Sequence, residues 1–258
     1  MPRTPSPRSS AGGRHELGQN FLHHRPTIDR IADLVADTDG PILELGAGDG
    51  ALTRALARLG RPLTAVEIDE HRVRRLRRSV PGVRVEHADA TRIALDAPVV
   101  AGNIPFHLTT PVLRRLLGAG RWQRAVLLTQ WEVARKRAGV GGGTMLTAAS
   151  APWFAFTLEF RVPAAHFAPR PSVDGGVLGV VRRARPLVPH RERRRYEAFV
   201  RGVFTGPGGG LARVVERAGR TDQRTARRAL GRAGVAERAL PRDLGPEQWA
   251  ALWGAVRR

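Results

Sequence analysis

The sequence predicts an α/β fold in which a mostly parallel sheet carries helices on both faces and is followed by a small all-helical segment. Apolar runs alternate with amphipathic stretches between residues 28 and 129, a pattern typical of parallel strands joined by helical crossovers. A glycine-rich turn at residues 46–50 directly follows the first apolar run, as in open α/β sheets that bind ligands at their carboxyl edge. After residue 182 the apolar residues recur with a helical period.

The predicted strands are short apolar runs that end in turn or polar residues. They span residues 41–45, 63–68, 83–86, 98–102 and 125–129, and two later strands at 156–161 and 176–182 are joined by a proline-rich loop. The helices predicted between them span residues 28–35, 51–59, 72–79 and 111–117.

The chain divides into three parts by composition. Residues 1–14 are rich in Pro, Ser, Gly and Arg and are predicted to be a disordered basic tail. Residues 15–183 hold the predicted α/β domain. Residues 184–258 are predicted to form a helical domain, with helices at 191–204, 210–218, 222–233 and 246–256.

Positive charge is concentrated near the carboxyl end of the chain. Residues 182–258 hold 19 arginines and 7 acidic residues, a net charge of +12, whereas residues 31–181 hold 19 basic and 14 acidic residues, a net charge of +5. Such an excess favours a polyanionic partner, although a solvated arginine surface would look the same in the sequence.

Composition also excludes several classes of protein. The absence of cysteine excludes disulfides, thiolate zinc sites and cysteine nucleophiles. No apolar run reaches the length of a membrane helix, and the first residues lack the apolar region of a signal peptide, so a cytoplasmic protein is expected.

The most informative motif is Asn103-Ile104-Pro105-Phe106, which follows an apolar run. An exocyclic aromatic amine is a poor nucleophile because its lone pair is delocalised into the ring. The Asn103 side-chain oxygen and the Ile104 carbonyl can accept its two N–H groups, because a residue before proline favours extended geometry. Phe106 offers a face on which a base taken out of its stack can lie. Methylation of such an amine would fit these residues, but an isolated motif of this kind is more often an ordinary turn.

Acidic residues end the next two predicted strands. Glu67 lies 21 residues after Gly46, where a carboxylate binds ribose hydroxyls in open α/β folds. The glycine turn and Glu67 alone do not separate a nicotinamide enzyme from an S-adenosylmethionine enzyme. Asp89 favours the methyl donor, because a carboxylate there can accept from the amine of the cofactor's adenine.

Six ordered motifs resemble the rRNA adenine N6-methyltransferases, the family that includes the erythromycin-resistance (Erm) enzymes and the small-subunit dimethyladenosine transferases. The motifs are LGQNFL (17–22), ELGAGDG (44–50), VEID (66–69), AD (88–89), GNIPFHLTT (102–110) and HFAPRPSVD (166–174). The run at residues 127–146 and PWFAF (152–156) are more similar to the Erm branch.

The resemblance implies a Rossmann-like class I methyltransferase domain with a seven-stranded sheet whose seventh strand is antiparallel, and S-adenosylmethionine as the cofactor. It implies cofactor contacts by Asn20, Leu22, Gly46, Glu67, Asp89 and Asn103. Asn103 and Ile104 would hold the target amine, and Phe106 and Phe167 would flank the flipped adenine. The resemblance also implicates Arg135, Lys136 and Arg137 in RNA binding, although a solvated helix end would look the same in the sequence. It implies that the helical domain at residues 184–258 is an RNA-binding domain.

The function that the resemblance implies is mono- or dimethylation of one adenine in 23S rRNA, naked or in pre-ribosomal particles, by a monomer that needs no metal and no membrane. This modification would confer resistance to macrolide, lincosamide and streptogramin B antibiotics. Three alternatives remain open in the sequence: a small-subunit rRNA dimethyltransferase, a non-catalytic nucleic-acid-binding factor on the same fold, and a nicotinamide oxidoreductase.

Overall fold

The computed structural model describes residues 20–236 and 238–257. The predicted disordered tail at residues 1–14 lies outside the described residues. None of the helices in the described ranges has the length and apolar character needed to cross a membrane.

Nine strands and ten α-helices make up the described chain. The strands are β1 (Phe21–Leu22), β2 (Ile42–Leu45), β3 (Leu63–Glu67), β4 (Arg84–His87), β5 (Val99–Asn103), β6 (Arg124–Gln130), β7 (Phe154–Val162), β8 (Phe167–Ala168) and β9 (Gly175–Arg182). The helices are α1 (Arg25–Ala36), α2 (Ala51–Ala57), α3 (Glu70–Ser79), α4 (Thr109–Gly118), α5 (Trp131–Arg137), α6 (Met145–Ser150), α7 (Arg193–Thr205), α8 (Leu211–Gly219), α9 (Gln223–Arg232) and α10 (Pro246–Val256).

Seven of these strands form one sheet in the order β4-β3-β2-β5-β6-β9-β7. Strands β2 to β6 pair in parallel, and β9 pairs antiparallel with both β6 and β7. The Rossmann-like fold with an antiparallel seventh sheet strand is therefore confirmed. The strand order reverses between β2 and β5, and ligands bind at the carboxyl ends of the strands beside such a switch point.

Close packing of β2 against β5 explains the glycine that precedes Asn103. A Cβ atom on Gly102 would lie 2.4 Å from the backbone oxygen of Leu45, so any larger residue would push the two strands apart. The neighbouring residues Val99, Val100 and Ala101 are almost completely buried, which fits a strand covered on both faces. Gly102 thus sets the position of the motif that follows it.

The helical segment after β9 shares an apolar core with one face of the sheet. Tyr196 and Phe199 of α7 and Trp253 of α10 are buried in the same cluster as Trp153 and Phe154. The Tyr196 hydroxyl donates a 2.9 Å hydrogen bond to the backbone oxygen of Ala148. All four predicted helices are present. The division into separate domains at residues 183 and 184 remains a prediction, and the shared core indicates that the two parts stabilise each other.

The sequence analysis missed four short elements. They are β1, β8, α5 and α6, which contain two, two, seven and six residues. Helix α3 also begins at Glu70 rather than at residue 72, because the Asp69 carboxylate accepts the Arg72 N–H and caps the helix.

Candidate active site

A cavity of about 930 Å³ opens at the carboxyl ends of β2, β3 and β5. Residues predicted to bind the cofactor all line it, namely Asn20, Leu22, Gly46, Glu67, Asp89 and Asn103. Ile104 and Phe106 line the same cavity. The fold therefore brings together residues that are up to 86 positions apart in the chain, from Asn20 to Phe106.

The glycine turn after β2 forms one wall of the cavity. Gly46, Gly48 and Gly50 have φ angles of +72°, +55° and +79°, which favour glycine over any residue with a Cβ atom. The Gly46 N–H donates a 2.9 Å hydrogen bond to the backbone oxygen of Val66. The turn is thus fixed to β3, and at its glycines no side chain separates the backbone from a ligand.

Glu67 is held by the backbone around it. Its Oε2 accepts the Gly48 N–H at 2.7 Å, and its Oε1 accepts the N–H groups of Ile68 and Asp69 at 2.9 and 3.0 Å. The residue is 4% exposed. A carboxylate has about four lone-pair directions, so Oε2 keeps one for a ligand hydroxyl.

Asp89 and Ile68 form a second part of the wall. Asp89 Oδ1 accepts the backbone N–H and the hydroxyl of Thr91, both at 2.7 Å. These hydrogen bonds hold the pKa of Asp89 below its usual value, so the carboxylate stays charged. Ile68 is 58% exposed, although it is a large apolar residue. The sequence analysis missed Ile68, which its position directly after the strand-ending Glu67 could have indicated.

A buried carboxyl group, Glu44, lines the cavity from β2. It is 1% exposed, and its Oε2 has no hydrogen-bond partner among the described residues. Burial, and to a smaller extent the charge of Glu67, raises the pKa of Glu44 to about 7 against the opposing effects of Thr53 and Arg54. The sequence analysis assigned no role to this residue.

The motif after β5 presents its polar atoms at the cavity. The Asn103 Nδ2 donates a 2.9 Å hydrogen bond to the backbone oxygen of Asn20, so the amide is oriented with Oδ1 as its remaining acceptor. The Ile104 N–H donates to the Leu128 oxygen at 2.9 Å, and its side chain is buried. Pro105 is extended, with φ −51° and ψ 133°, and a short 3₁₀ turn begins at Phe106.

Phe106 and Phe167 lie close together but are not parallel. Their ring centroids are 6.4 Å apart and their planes meet at 73°. Phe167 is 2% exposed, because its strand β8 pairs with β1 and buries the ring. The structure therefore places Phe167 beside Phe106 but not on the wall of the cavity. Its predicted contact with the base remains a prediction.

The segment from Asn20 to His23 covers one side of the cavity. Strand β1 pairs antiparallel with β8, with Leu22 opposite Phe167. The Phe21 ring lies between the Gly48 backbone, where a Cβ atom would be 3.1 Å away, and the Arg72 guanidinium, 4.2 Å from the ring centroid. These contacts explain how the predicted Asn20 and Leu22 reach the site.

The three basic residues predicted to bind RNA differ in their surroundings. Arg137 is half-buried and donates to the Thr144 hydroxyl at 2.8 Å, and Arg135 forms a 3.0 Å ion pair with Glu132. Lys136 is exposed. A role in RNA binding is a prediction for all three, and the structure favours Lys136 as a direct contact and Arg137 as a residue that holds the loop.

Three comparisons with known proteins indicate the same family. The family model described as ribosomal RNA adenine dimethylase matches residues 11–253. Mycinamicin-resistance protein MyrB of Micromonospora griseorubida is 52% identical over 252 residues, which cover 96% of this chain and 80% of that protein. An rRNA adenine N-6-methyltransferase of Corynebacterium diphtheriae is 49% identical over 80% of this chain and 83% of that protein. The solved structure of the 23S rRNA methyltransferase ErmE superposes with a TM-score of 0.84 at 35% identity, covering 92% of this chain and 99% of that one.

Proposed function

Since the chain belongs to the ribosomal RNA adenine dimethylase family and is an rRNA (adenine-N6)-methyltransferase, we propose that it methylates one adenine of 23S rRNA at N6, using S-adenosylmethionine. The observation that carries this proposal is the position of Asn103, which borders the large cavity and orients its Oδ1 as an acceptor. Methylation at this position would make the ribosome resistant to macrolide, lincosamide and streptogramin B antibiotics.

The cavity suits S-adenosylmethionine. Gly46 and Gly48 line the cavity with backbone that carries no side chain, and the buried Glu44 has an oxygen without a hydrogen-bond partner among the described residues that would suit a cationic ligand group. Glu67 would bind the ribose through Oε2. Asp89 would accept from the adenine amine, and the adenine ring would pack against the exposed Ile68. When bound, the cofactor supplies an electrophilic methyl group on a sulfonium.

Asn103 and Ile104 would prepare the target nitrogen. Asn103 Oδ1 and the Ile104 carbonyl accept the two N–H groups of N6, which draws electron density onto nitrogen and turns its lone pair toward the methyl carbon. The cofactor would supply the methyl group to N6, and one N6 proton would pass to solvent. Phe106 would hold the base by stacking on its face.

RNA would be held by exposed arginines of the helical segment. Arg224, Arg227 and Arg228 on α9 are exposed, and none of them pairs with a carboxylate among residues 20–236 and 238–257. Unpaired cations of this kind bind phosphates without reading sequence. Lys136 would add a contact nearer the site.

The proposal is tested by methylation of purified rRNAs. Wild-type protein, S-adenosylmethionine and naked 23S or 16S rRNA are incubated, and primer extension locates the modified base. Methylation of one adenine in 23S rRNA supports the proposal, and methylation of 16S rRNA alone would make the protein a small-subunit enzyme. Cofactor binding without transfer to either RNA would favour a non-catalytic factor. The resistance is tested by measuring the susceptibility to these antibiotics of a host that expresses the wild-type protein or Asn103→Ala. Only the wild type should protect the host.

A further inference from the structure

A second cavity, of about 440 Å³, adjoins the catalytic motif on the side away from the glycine turn. Asn20, Phe106 and His107 line both cavities, so the two meet beside the Phe106 ring. The residues that line only the second cavity are Gln130 at the end of β6 and Pro171, Ser172 and Val173 in the loop before β9. No role has been given to these four residues so far.

The wall that carries Gln130 is fixed by the backbone. Leu128 of β6 lies opposite Asn103 of β5 and accepts the Ile104 N–H at 2.9 Å, so Gln130 lies two residues beyond the catalytic motif on the adjoining strand. The next residue, Trp131, donates its N–H to the Asp174 oxygen at 2.9 Å. Gln130 is therefore anchored on both sides.

The cavity combines apolar surface with polar groups that have no partner in the fold. Neither the Gln130 amide nor the Ser172 hydroxyl hydrogen-bonds to any residue of the described ranges. Val173 is 44% exposed and adds apolar surface to the wall. A small, mostly apolar cavity with a few convergent polar groups is typical of a ligand site.

We propose that the target adenine lies on Phe106, where the two cavities meet, and that the Gln130 side chain recognises it by donating a hydrogen bond to a ring nitrogen beside the amine. Asn103 and Ile104 use both N–H groups of N6, which leaves the N1 and N7 acceptors of the base. A glutamine Nε2–H₂ group is a suitable donor to either. Guanine, which has an N1–H and an oxygen at position 6, would not satisfy these groups. This inference rests on the proposed function and extends it to base recognition.

The test compares Gln130→Leu with the wild type on a 23S rRNA fragment that the wild type methylates. The fragment carries adenine, 1-deazaadenine or 7-deazaadenine at the methylated position, and single-turnover rates are measured. For each protein, the preference is the rate on adenine divided by the rate on the analogue. For one of the two analogues we expect this preference to be about 10-fold larger in the wild type than in Gln130→Leu, because the variant has lost one hydrogen bond to the base. The affinity for S-adenosylmethionine should not change, because Gln130 does not line the first cavity. The melting temperature should not change either, because the Gln130 amide makes no hydrogen bond to the described residues.

Gln223→Leu provides the matched control, because Gln223 is exposed at the start of α9. Its adenine preference should equal that of the wild type. Unchanged preferences for both analogues in an active Gln130→Leu enzyme would overturn the inference alone, as would an equal effect of Gln223→Leu. Absence of wild-type methylation would instead overturn the proposed function and the inference with it.

Discussion

The Asn103 side-chain amide donates a 2.9 Å hydrogen bond to the backbone carbonyl of Asn20, a residue 83 positions earlier in the chain. This contact joins the covering segment at residues 20–23 to the motif that would hold the target amine. Because the Asn20 oxygen can only accept, the amide nitrogen faces it and Oδ1 remains an acceptor. We therefore expect the position of residues 20–23 and the activity of the site to depend on each other through this side chain.

Asn103→Ala should slow the chemical step far more than it weakens RNA binding. Removing a positioned hydrogen-bonding group from an active site typically costs about 10²- to 10³-fold in rate. Single-turnover methylation and RNA affinity, measured on the same preparation, separate the two effects. A near-normal single-turnover rate would show that N6 is activated by other groups.

The face of the Phe106 ring, rather than a hydroxyl, should hold the base. Phe106→Tyr and Phe106→Trp should keep substantial activity, whereas Phe106→Ala should lose about 1–3 kcal/mol of base binding. The comparison uses KM for the RNA and the single-turnover rate. Wild-type values for Phe106→Ala would mean that the base stacks elsewhere.

The buried Glu44 should make folding stability depend on pH. The pKa of Glu44 in the folded protein is about 7, above the ordinary value of 4.5. Below pH 4.5 the carboxyl group is neutral in both states, and its burial costs least. The free energy of unfolding therefore decreases as the pH rises from 4.5 through 7. The loss is on the order of 3 kcal/mol for a shift of this size. The lowered pKa values of Asp89 and Asp174 act in the opposite direction and only at lower pH.

Urea unfolding between pH 5 and 8 measures this dependence. Glu44→Gln should flatten it, and the exposed Glu247→Gln on α10 should leave it unchanged. An equal pH dependence in wild type and Glu44→Gln would contradict the assignment.

Neutralising α9 should weaken RNA binding without affecting the cofactor site. The triple variant Arg224→Gln, Arg227→Gln, Arg228→Gln should reduce the slope of log affinity against log salt by about 2, if each arginine neutralises one phosphate. The matched control replaces Arg58, Arg84 and Arg121, which already pair with carboxylates. An unaltered slope in the α9 variant would place the RNA on another surface.

Substitution is preferable to truncation in this test. Deleting residues 184–258 would expose Trp153 and Phe154, which are fully buried against α7 and α10. We expect the truncated chain to aggregate or to melt at a much lower temperature, as calorimetry or light scattering would show. A truncated chain that melts at the wild-type temperature would support independent folding of residues 15–183.

Much of the fold and the site could be predicted from the sequence because local pattern and spacing carried the information. The alternation of strands and helices predicts the parallel sheet. Residues at the strand ends, such as Gly46, Glu67 and Asn103, lie at the carboxyl edge of such a sheet irrespective of the loop conformations. Two-residue strands such as β1 and β8 are too short to show a periodic pattern, and their pairing joins residues 147 positions apart, Phe21 and Ala168. The edge-on arrangement of Phe167 and the burial of Arg137 depend on tertiary packing and could not be predicted from local sequence.

The most direct test of the account is mass spectrometry of RNase fragments and of nucleosides from 23S and 16S rRNA after incubation with S-adenosylmethionine and the protein, which gives both the position and the identity of the modified base. The account predicts N6-methylated adenosine at one position of 23S rRNA with the wild type, and loss of that product with Asn103→Ala. Methylation of 16S rRNA alone, methylation at an atom other than N6, or an equal yield from Asn103→Ala would contradict it.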